Sequence, residues 1–189
     1  MFLHFLLFVK IEVQLKIRCK DIVQIENIGT STFLAIGPRK NNSSNKMDLF
    51  ATSPQYNPES YWVVKSTQDK LHKIKCNSII SLIDAKYSNF ISVFFFFENN
   101  YVTISNDSGG AQCLWNITCQ NEDDVYWYTG KPVQFKNLEH NCYLSTSLDN
   151  TANTFFPNRW GLNCLPQSQK NSFWKAEKGL FFMKKENSL

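Results

Sequence analysis

The chain has 189 residues and a formal charge of +4, with 20 basic and 16 acidic side chains mixed along its length. That length builds one core or two small ones, and a 43% hydrophobic content with 16 Phe excludes a disordered polypeptide. The charge is too small and too evenly spread for a nucleic-acid-binding surface.

In chain order, the first element is an apolar segment over 1–16. Met1 to Val9, broken only by His4, has the length of a signal-peptide h-region but lacks a basic n-region and a small-x-small cleavage site. A hydrophobic first strand is the other reading. No other stretch approaches the ~18 apolar residues of a membrane span. Next, "Ile-Val-Gln-Ile-Glu-Asn" at 22–27 alternates apolar and polar in the β manner, and Phe33-Leu34 opens a second strand eight residues after Ile25. "Ser-Tyr-Trp-Val-Val-Lys" at 60–65 closes this unit with Trp62. The series then returns. Leu82 in "Ile-Ile-Ser-Leu-Ile-Asp" is followed eight residues on by Phe90-Ile91, and "Leu-Trp-Asn-Ile-Thr-Cys" at 114–119 carries Trp115. Phe135 in "Pro-Val-Gln-Phe-Lys-Asn" is followed at the same offset by Tyr143-Leu144, and "Phe-Trp-Lys-Ala-Glu-Lys" at 173–178 carries Trp174. Cys19, Cys76 and Gly130 mark the unit starts, and no helical period runs anywhere.

Each unit reads strand, turn, strand, loop, strand, turn, Trp-strand. One unit cannot bury its apolar face alone, so three must share a core, and a propeller needs more blades. The predicted fold is all-β: a β-trefoil of three four-strand repeats over about 17–70, 74–121 and 129–183, forming one domain (17–183) with a short tail at 184–189. Strands one and four of each unit form a closed six-strand barrel without exposed edges; strands two and three form the cap. Ile25, Leu82, Phe135, Trp62, Trp115 and Trp174 belong to its core.

"Ser-Phe-Trp-Lys-Ala-Glu-Lys-Gly-Leu-Phe-Phe" at 172–182, preceded by "Pro-Gln-Ser-Gln-Lys-Asn", is similar to the C-terminal end of the stromal cell-derived factor 2 family. "Glu-Ser-Tyr-Trp-Val-Val-Lys" at 59–65 and the segments around Trp115 and Phe135 extend the resemblance over about 17–183. That family is built from three MIR motifs, shared with protein O-mannosyltransferases and with inositol trisphosphate and ryanodine receptors, and folds as a β-trefoil. The resemblance implies a non-catalytic protein of the endoplasmic-reticulum lumen or secretory route. It would act in protein quality control beside an Hsp70-type chaperone and its J-domain partner, keep misfolded clients soluble, and need no cofactor. A carbohydrate-binding trefoil, or a MIR module tied to protein O-mannosylation, is the alternative.

The chain departs from the family pattern in two places. The family's Leu-His-Ser-His stretch on the second strand reads Leu34-Ala35-Ile36-Gly37, Ile91-Ser92-Val93-Phe94 and Leu144-Ser145-Thr146-Ser147 here, so no histidine stands in it. The final "Glu-Asn-Ser-Leu" is not a KDEL-type retrieval signal, so retention would need a partner.

No catalytic constellation stands out. G-x-S-x-G and H-E-x-x-H are absent, as is any C-x-x-C pair, and Gly109-Gly110 is not followed by Lys-Ser/Thr. "Asn-Glu-Asp-Asp" at 121–124 reads as a solvated turn rather than a metal site. The binding candidates are few. "Val93-Phe94-Phe95-Phe96-Phe97" lies just past the second strand of unit two, and because a strand has two faces, four consecutive Phe cannot all enter one core. Phe94, Phe95, Phe96 and Phe97 therefore form a candidate client or partner patch, unless a loop such as 41–45 covers them or the run is a compositional accident. Trp160 is the candidate glycan platform. Cys76 opens the first strand of unit two and Cys119 closes its fourth; in a closed barrel these antiparallel ends meet, which predicts a disulfide, two buried thiols being the other reading. Cys19, at the matching place in unit one, has no such partner, and Cys142 and Cys164 could face each other across unit three. Asn41, Asn42, Asn106 and Asn116 open N-x-S/T sequons, although a glycan on Asn116 would crowd the strand of Trp115.

Overall fold

The computed structural model describes residues 14–38, 47–53, 60–67, 72–96, 99–106, 110–146 and 159–180. Among the described residues the apolar alternation of the sequence becomes thirteen strands: β1 (Ile22–Asn27), β2 (Thr32–Pro38), β3 (Met47–Thr52), β4 (Trp62–Ser66), β5 (Ile79–Asp84), β6 (Phe90–Phe96), β7 (Asn99–Ser105), β8 (Trp115–Cys119), β9 (Val133–Asn137), β10 (Tyr143–Thr146), β11 (Arg159–Trp160), β12 (Leu162–Leu165) and β13 (Trp174–Leu180). Among the described residues the only helical pieces are single 3-10 turns, at Ala111–Cys113 and Lys170–Ser172.

Six antiparallel pairings, β1–β4, β4–β5, β5–β8, β8–β9, β9–β13 and β13–β1, return to their start. This closed ring leaves no barrel strand with an open edge. Hairpins β2–β3, β6–β7 and β10–β12 branch from it at the pairs Glu26–Phe33, Ile83–Phe90 and Lys136–Tyr143. The architecture is all-β and β-trefoil-like.

In the first part of each unit, matching roles recur at offsets of 57 and 53 residues. Lys20, Asn77 and Gly130 share a left-handed backbone, as do Ser31, Ser88 and Asn141. Thr129, rather than Gly130, is therefore the equivalent in unit three of Cys19 and Cys76. Before the second of these turns sit the buried side chains of Asn27, Asp84 and Asn137. Their oxygens accept the N–H groups of Thr30, Tyr87 and His140, so each turn is held by one short side chain. Trp62, Trp115 and Trp174 are fully buried, and each indole N–H reaches the cap strand of its own unit, at Leu34 O (3.0 Å), Ile91 O (3.1 Å) and Leu144 O (2.8 Å). Ile25, Leu82 and Phe135 fill the barrel opposite Ala176, Val64 and Ile117.

The barrel floor is closed by the backbone itself. Ile17 N–H donates to Trp127 O (2.9 Å), Trp127 N–H to Ile74 O (2.9 Å) and Ile74 N–H to Ile17 O (2.8 Å), a cycle of three bonds whose side chains plug the barrel from below. Trp127 differs from the other core tryptophans: its indole N–H is buried without a partner and its ring meets Phe135 edge-on at 5.7 Å.

Cys76 and Cys119 form a disulfide, as do Cys142 and Cys164. The first closes a 43-residue separation, which in the chain-entropy description stabilises the fold by roughly 3–4 kcal/mol. Cys19 remains a buried thiol. Ser66 stands where Cys119 stands one unit later, and its N–H donates to the Cys19 sulfur at 3.3 Å, in place of a bridge.

Two stability predictions follow from these pairs. Replacing Trp62, Trp115 or Trp174 by Phe strands a buried carbonyl, whereas Trp127→Phe removes an orphan donor. Denaturant titration is expected to show each of the three losing about 1–3 kcal/mol more than Trp127→Phe; equal losses would contradict the bonding pattern. At Asp84, burial pushes the carboxyl above its ordinary value near 3.8, opposed by N–H bonds from Tyr87 and Lys86 and by the Lys86 charge. A carboxyl with a raised folded pKa weakens the fold when ionised, and the penalty fades as pH falls through that raised value. Asp84→Asn, the residue at positions 27 and 137, should raise the unfolding midpoint at pH 7 by about 2–4 °C. The gain should shrink as pH approaches 4; a lower midpoint at pH 7 would contradict it.

Candidate functional site

β6 is longer than the alternation in the sequence suggests. It runs through Phe96 and carries the phenylalanine run beyond the barrel. Val93 is still core, 2% exposed, but the next two rings are not: Phe94 is 57% and Phe95 56% exposed, and Tyr101, opposite Phe94 on β7, is 51% exposed. Consecutive strand residues point to opposite faces, so two adjacent exposed rings mean that this end of the hairpin stands clear of the core on both faces. Phe97 and the Phe96 side chain lie outside the described residues.

Beside this arm opens a groove of about 500 Å³, lined by β6 and β7, the 3-10 turn and the β9–β10 turn. Its polar groups are Ser92, Thr103 and Ser105 from the hairpin, Gln112 from the 3-10 turn, and Glu139 and His140 from the turn of the next unit. The His140 ring stacks on Phe95, with centroids 6.4 Å apart and planes 18° from parallel, and its backbone N–H is fixed by Asn137 Oδ1 at 3.1 Å. An aromatic wall facing hydroxyl, amide, carboxylate and imidazole groups can hold an apolar group while hydrogen-bonding its polar neighbours.

The pseudo-threefold frame explains why the groove is open here. At the matching junction between units three and one, Asn171 occupies the seat. Its side-chain N–H donates to Thr146 O, while its backbone O accepts from Ser145 Oγ (3.0 Å) and Asn27 Nδ2 (2.8 Å). Gly29 lets the neighbouring turn close on it: a Cβ there would stand 3.0 Å from Asn171 Cα. In units two and three Gln112 takes the place of Asn171 and Glu139 that of Gly29. Asn137 Nδ2 still donates to Gln112 O at 2.8 Å, but the Gln112 side-chain amide lies over Gly110, where a Cβ would collide with it.

The remaining sequence candidates fall elsewhere. Trp160 is half-buried on β11 and packs against the core. Asn106 is exposed at the end of β7, whereas Asn116 is half-buried and donates from its amide to Asn77 O at 3.3 Å. Asn41 and Asn42 lie outside the described residues. The acidic turn at 121–124 carries exposed Glu122 and Asp123, with Asp123 N–H turned to Asn121 Oδ1. His140, Glu139 and Gln112 escaped the sequence reading because His140 shares no residue type with its repeat mates Thr30 and Tyr87; its position in the turn is the signal.

No family model matches the chain, and no curated protein matches it in sequence. Solved structures do. The SDF2-like protein from Arabidopsis thaliana is similar with a TM-score of 0.77 over 91% of this chain and 100% of that one, at 14% identity. A Caenorhabditis elegans protein of unknown function gives 0.72 over 86% and 96%, at 16% identity. The protein O-mannosyltransferase Pmt1-Pmt2 complex of S. cerevisiae, bound to the sugar donor, gives 0.75 over 92% of this chain and 26% of that one, at 11% identity. The resemblance to the stromal cell-derived factor 2 family holds at the level of fold.

Proposed function

We propose that the chain is a non-catalytic β-trefoil of three MIR-type repeats that binds misfolded clients in the endoplasmic-reticulum lumen, beside an Hsp70-type chaperone and its J-domain partner. The observation that carries this reading is the pair of exposed rings, Phe94 and Phe95, on the rim of an open groove. An exposed ring forgoes roughly 1.5–3 kcal/mol of burial, and an apolar patch kept at that cost on an otherwise polar rim marks an interaction surface. Two disulfides support an oxidising compartment, and the fold shared with the SDF2-like protein supports the family-level kind.

A second reading, a glycan ligand, is favoured by one feature. Six polar side chains surround the rings, which is more than an apolar peptide needs. Both readings use the same groove and differ in what binds.

The test is Phe94→Ser with Phe95→Ser, assayed for suppression of aggregation of a reduced, unfolding client. Because both rings are exposed, the unfolding midpoint is expected to stay within about 2–4 °C of the parent, while suppression falls several-fold. Unchanged suppression would remove the client reading. Glycan-array binding that is lost in His140→Ala and Gln112→Ala would install the glycan reading instead.

A further inference from the structure

β6 has one side that β7 does not use. On that side two carbonyls are taken: Asn89 O accepts the Asp84 N–H at 2.8 Å, and Ile91 O accepts the Trp115 indole N–H at 3.1 Å. Both donors stand on barrel strands, away from β7. In an antiparallel strand successive residues turn their N–H and C=O to alternate sides. The next members of this series are therefore Val93 and Phe95, whereas Phe94 turns its amide and carbonyl to Tyr101 of β7. Unit three carries the same series. Cys142 O accepts the Asn137 N–H (2.8 Å), Leu144 O the Trp174 indole and Thr146 O the Asn171 side-chain amide. The third donor has no counterpart in unit two. Gln112 holds the place of Asn171, its amide lies over Gly110, and among the described residues no group donates to Val93 O or Phe95 O. Val93 is 2% exposed and Phe95 56%, so this open edge runs from the floor of the groove to its mouth.

We propose that the groove takes its ligand as an added β-strand: an extended client segment whose main chain pairs with the Val93–Phe95 edge of β6. This deepens the client reading and rests on it. A backbone edge recognises the peptide unit itself, which every unfolded chain carries, so main-chain bonds supply affinity and side chains set preference. Native sheets cover or blunt such an edge, as Asn171 does in unit three. In unit two it lies open beside two exposed rings. Side chains of an added strand alternate between its faces, one set meeting the stacked Phe95 and His140 rings and the other the Phe94 ring. Among the described residues the lining holds no lysine or arginine but carries the exposed Glu139. Charge complementarity therefore favours a segment that mixes apolar with basic residues.

The experiment is fluorescence anisotropy of a labelled octapeptide of alternating valine and lysine, against the full chain and two variants. Phe95→Ser removes the ring and keeps the edge N–H. Phe95→Pro removes both, and because that N–H faces away from β7 the hairpin ladder stays intact. Phe95→Pro is expected to bind about tenfold more weakly than Phe95→Ser. Hydrogen exchange on the parent chain reads the same bond without a variant: the Phe95 amide should exchange about tenfold more slowly once the peptide saturates the site. An octapeptide of alternating valine and glutamate should bind several-fold more weakly, a difference that Glu139→Gln narrows. Equal affinities of the two Phe95 variants with unchanged Phe95 exchange, while binding still needs the rings, would overturn strand addition and leave the client reading standing. No binding to the parent chain would remove both. A dimer of the chain that Phe95→Pro dissociates would make a second copy the occupant and overturn the proposal.

Discussion

Three buried indole N–H bonds join the two halves of this molecule. Trp62, Trp115 and Trp174 stand on barrel strands, and the carbonyls they reach, on Leu34, Ile91 and Leu144, belong to cap strands of the same units. Each pair is sealed from water, where an amide-type hydrogen bond is at its strongest and a missing partner at its most costly. The bonds therefore set the position at which each cap hairpin leaves the barrel. The cyclic backbone triad of Ile17, Ile74 and Trp127 closes the opposite end. At the tryptophan end, Asn27, Asp84 and Asn137, each paired in register with one of these tryptophans, repeat one turn geometry three times.

A frame so regular makes its exceptions informative. The seat that Asn171 fills with its own amide is left open by Gln112, and the tight approach allowed by Gly29 is replaced by Glu139. His140 stands in the turn where its repeat mates are Thr30 and Tyr87, and it stacks on a ring of the neighbouring hairpin. The family's histidines would lie on the second strand of each unit; here the imidazole reaches the cap from the adjacent unit. Function in such folds resides in grafted sites rather than in the scaffold, and the groove beside Phe94 and Phe95 is a departure from the threefold pattern.

The frame was legible because its signals are local or periodic. Alternation over Ile22–Asn27, the offset of eight residues to Phe33, and the returning Trp all follow from strand geometry, and the Cys76–Cys119 bridge follows from strand ends meeting in a closed barrel. The groove was not legible, because it depends on side-chain direction. Whether Gln112 bridges to β6 or folds over Gly110 is a rotamer choice that no pattern in the chain encodes. Nor could spacing show that β6 continues through Phe96, or that Trp160 packs against the core from a two-residue strand paired with β3. The run of phenylalanines announced exposure by the two-face rule alone; what stands beside it came from the next unit, some forty residues on.

The central claim is that ligand meets this chain at the junction of units two and three and not at its closed counterpart. Backbone amide shifts in heteronuclear NMR, recorded while an unfolded, reduced client is titrated in, test it most directly. Perturbations should gather at Ser92–Phe95, Thr103–Ser105, Gln112 and His140, and leave Leu144–Thr146, Asn171 and Thr30 unmoved. Equal perturbation of both junctions, or shifts confined to other surfaces, would contradict it.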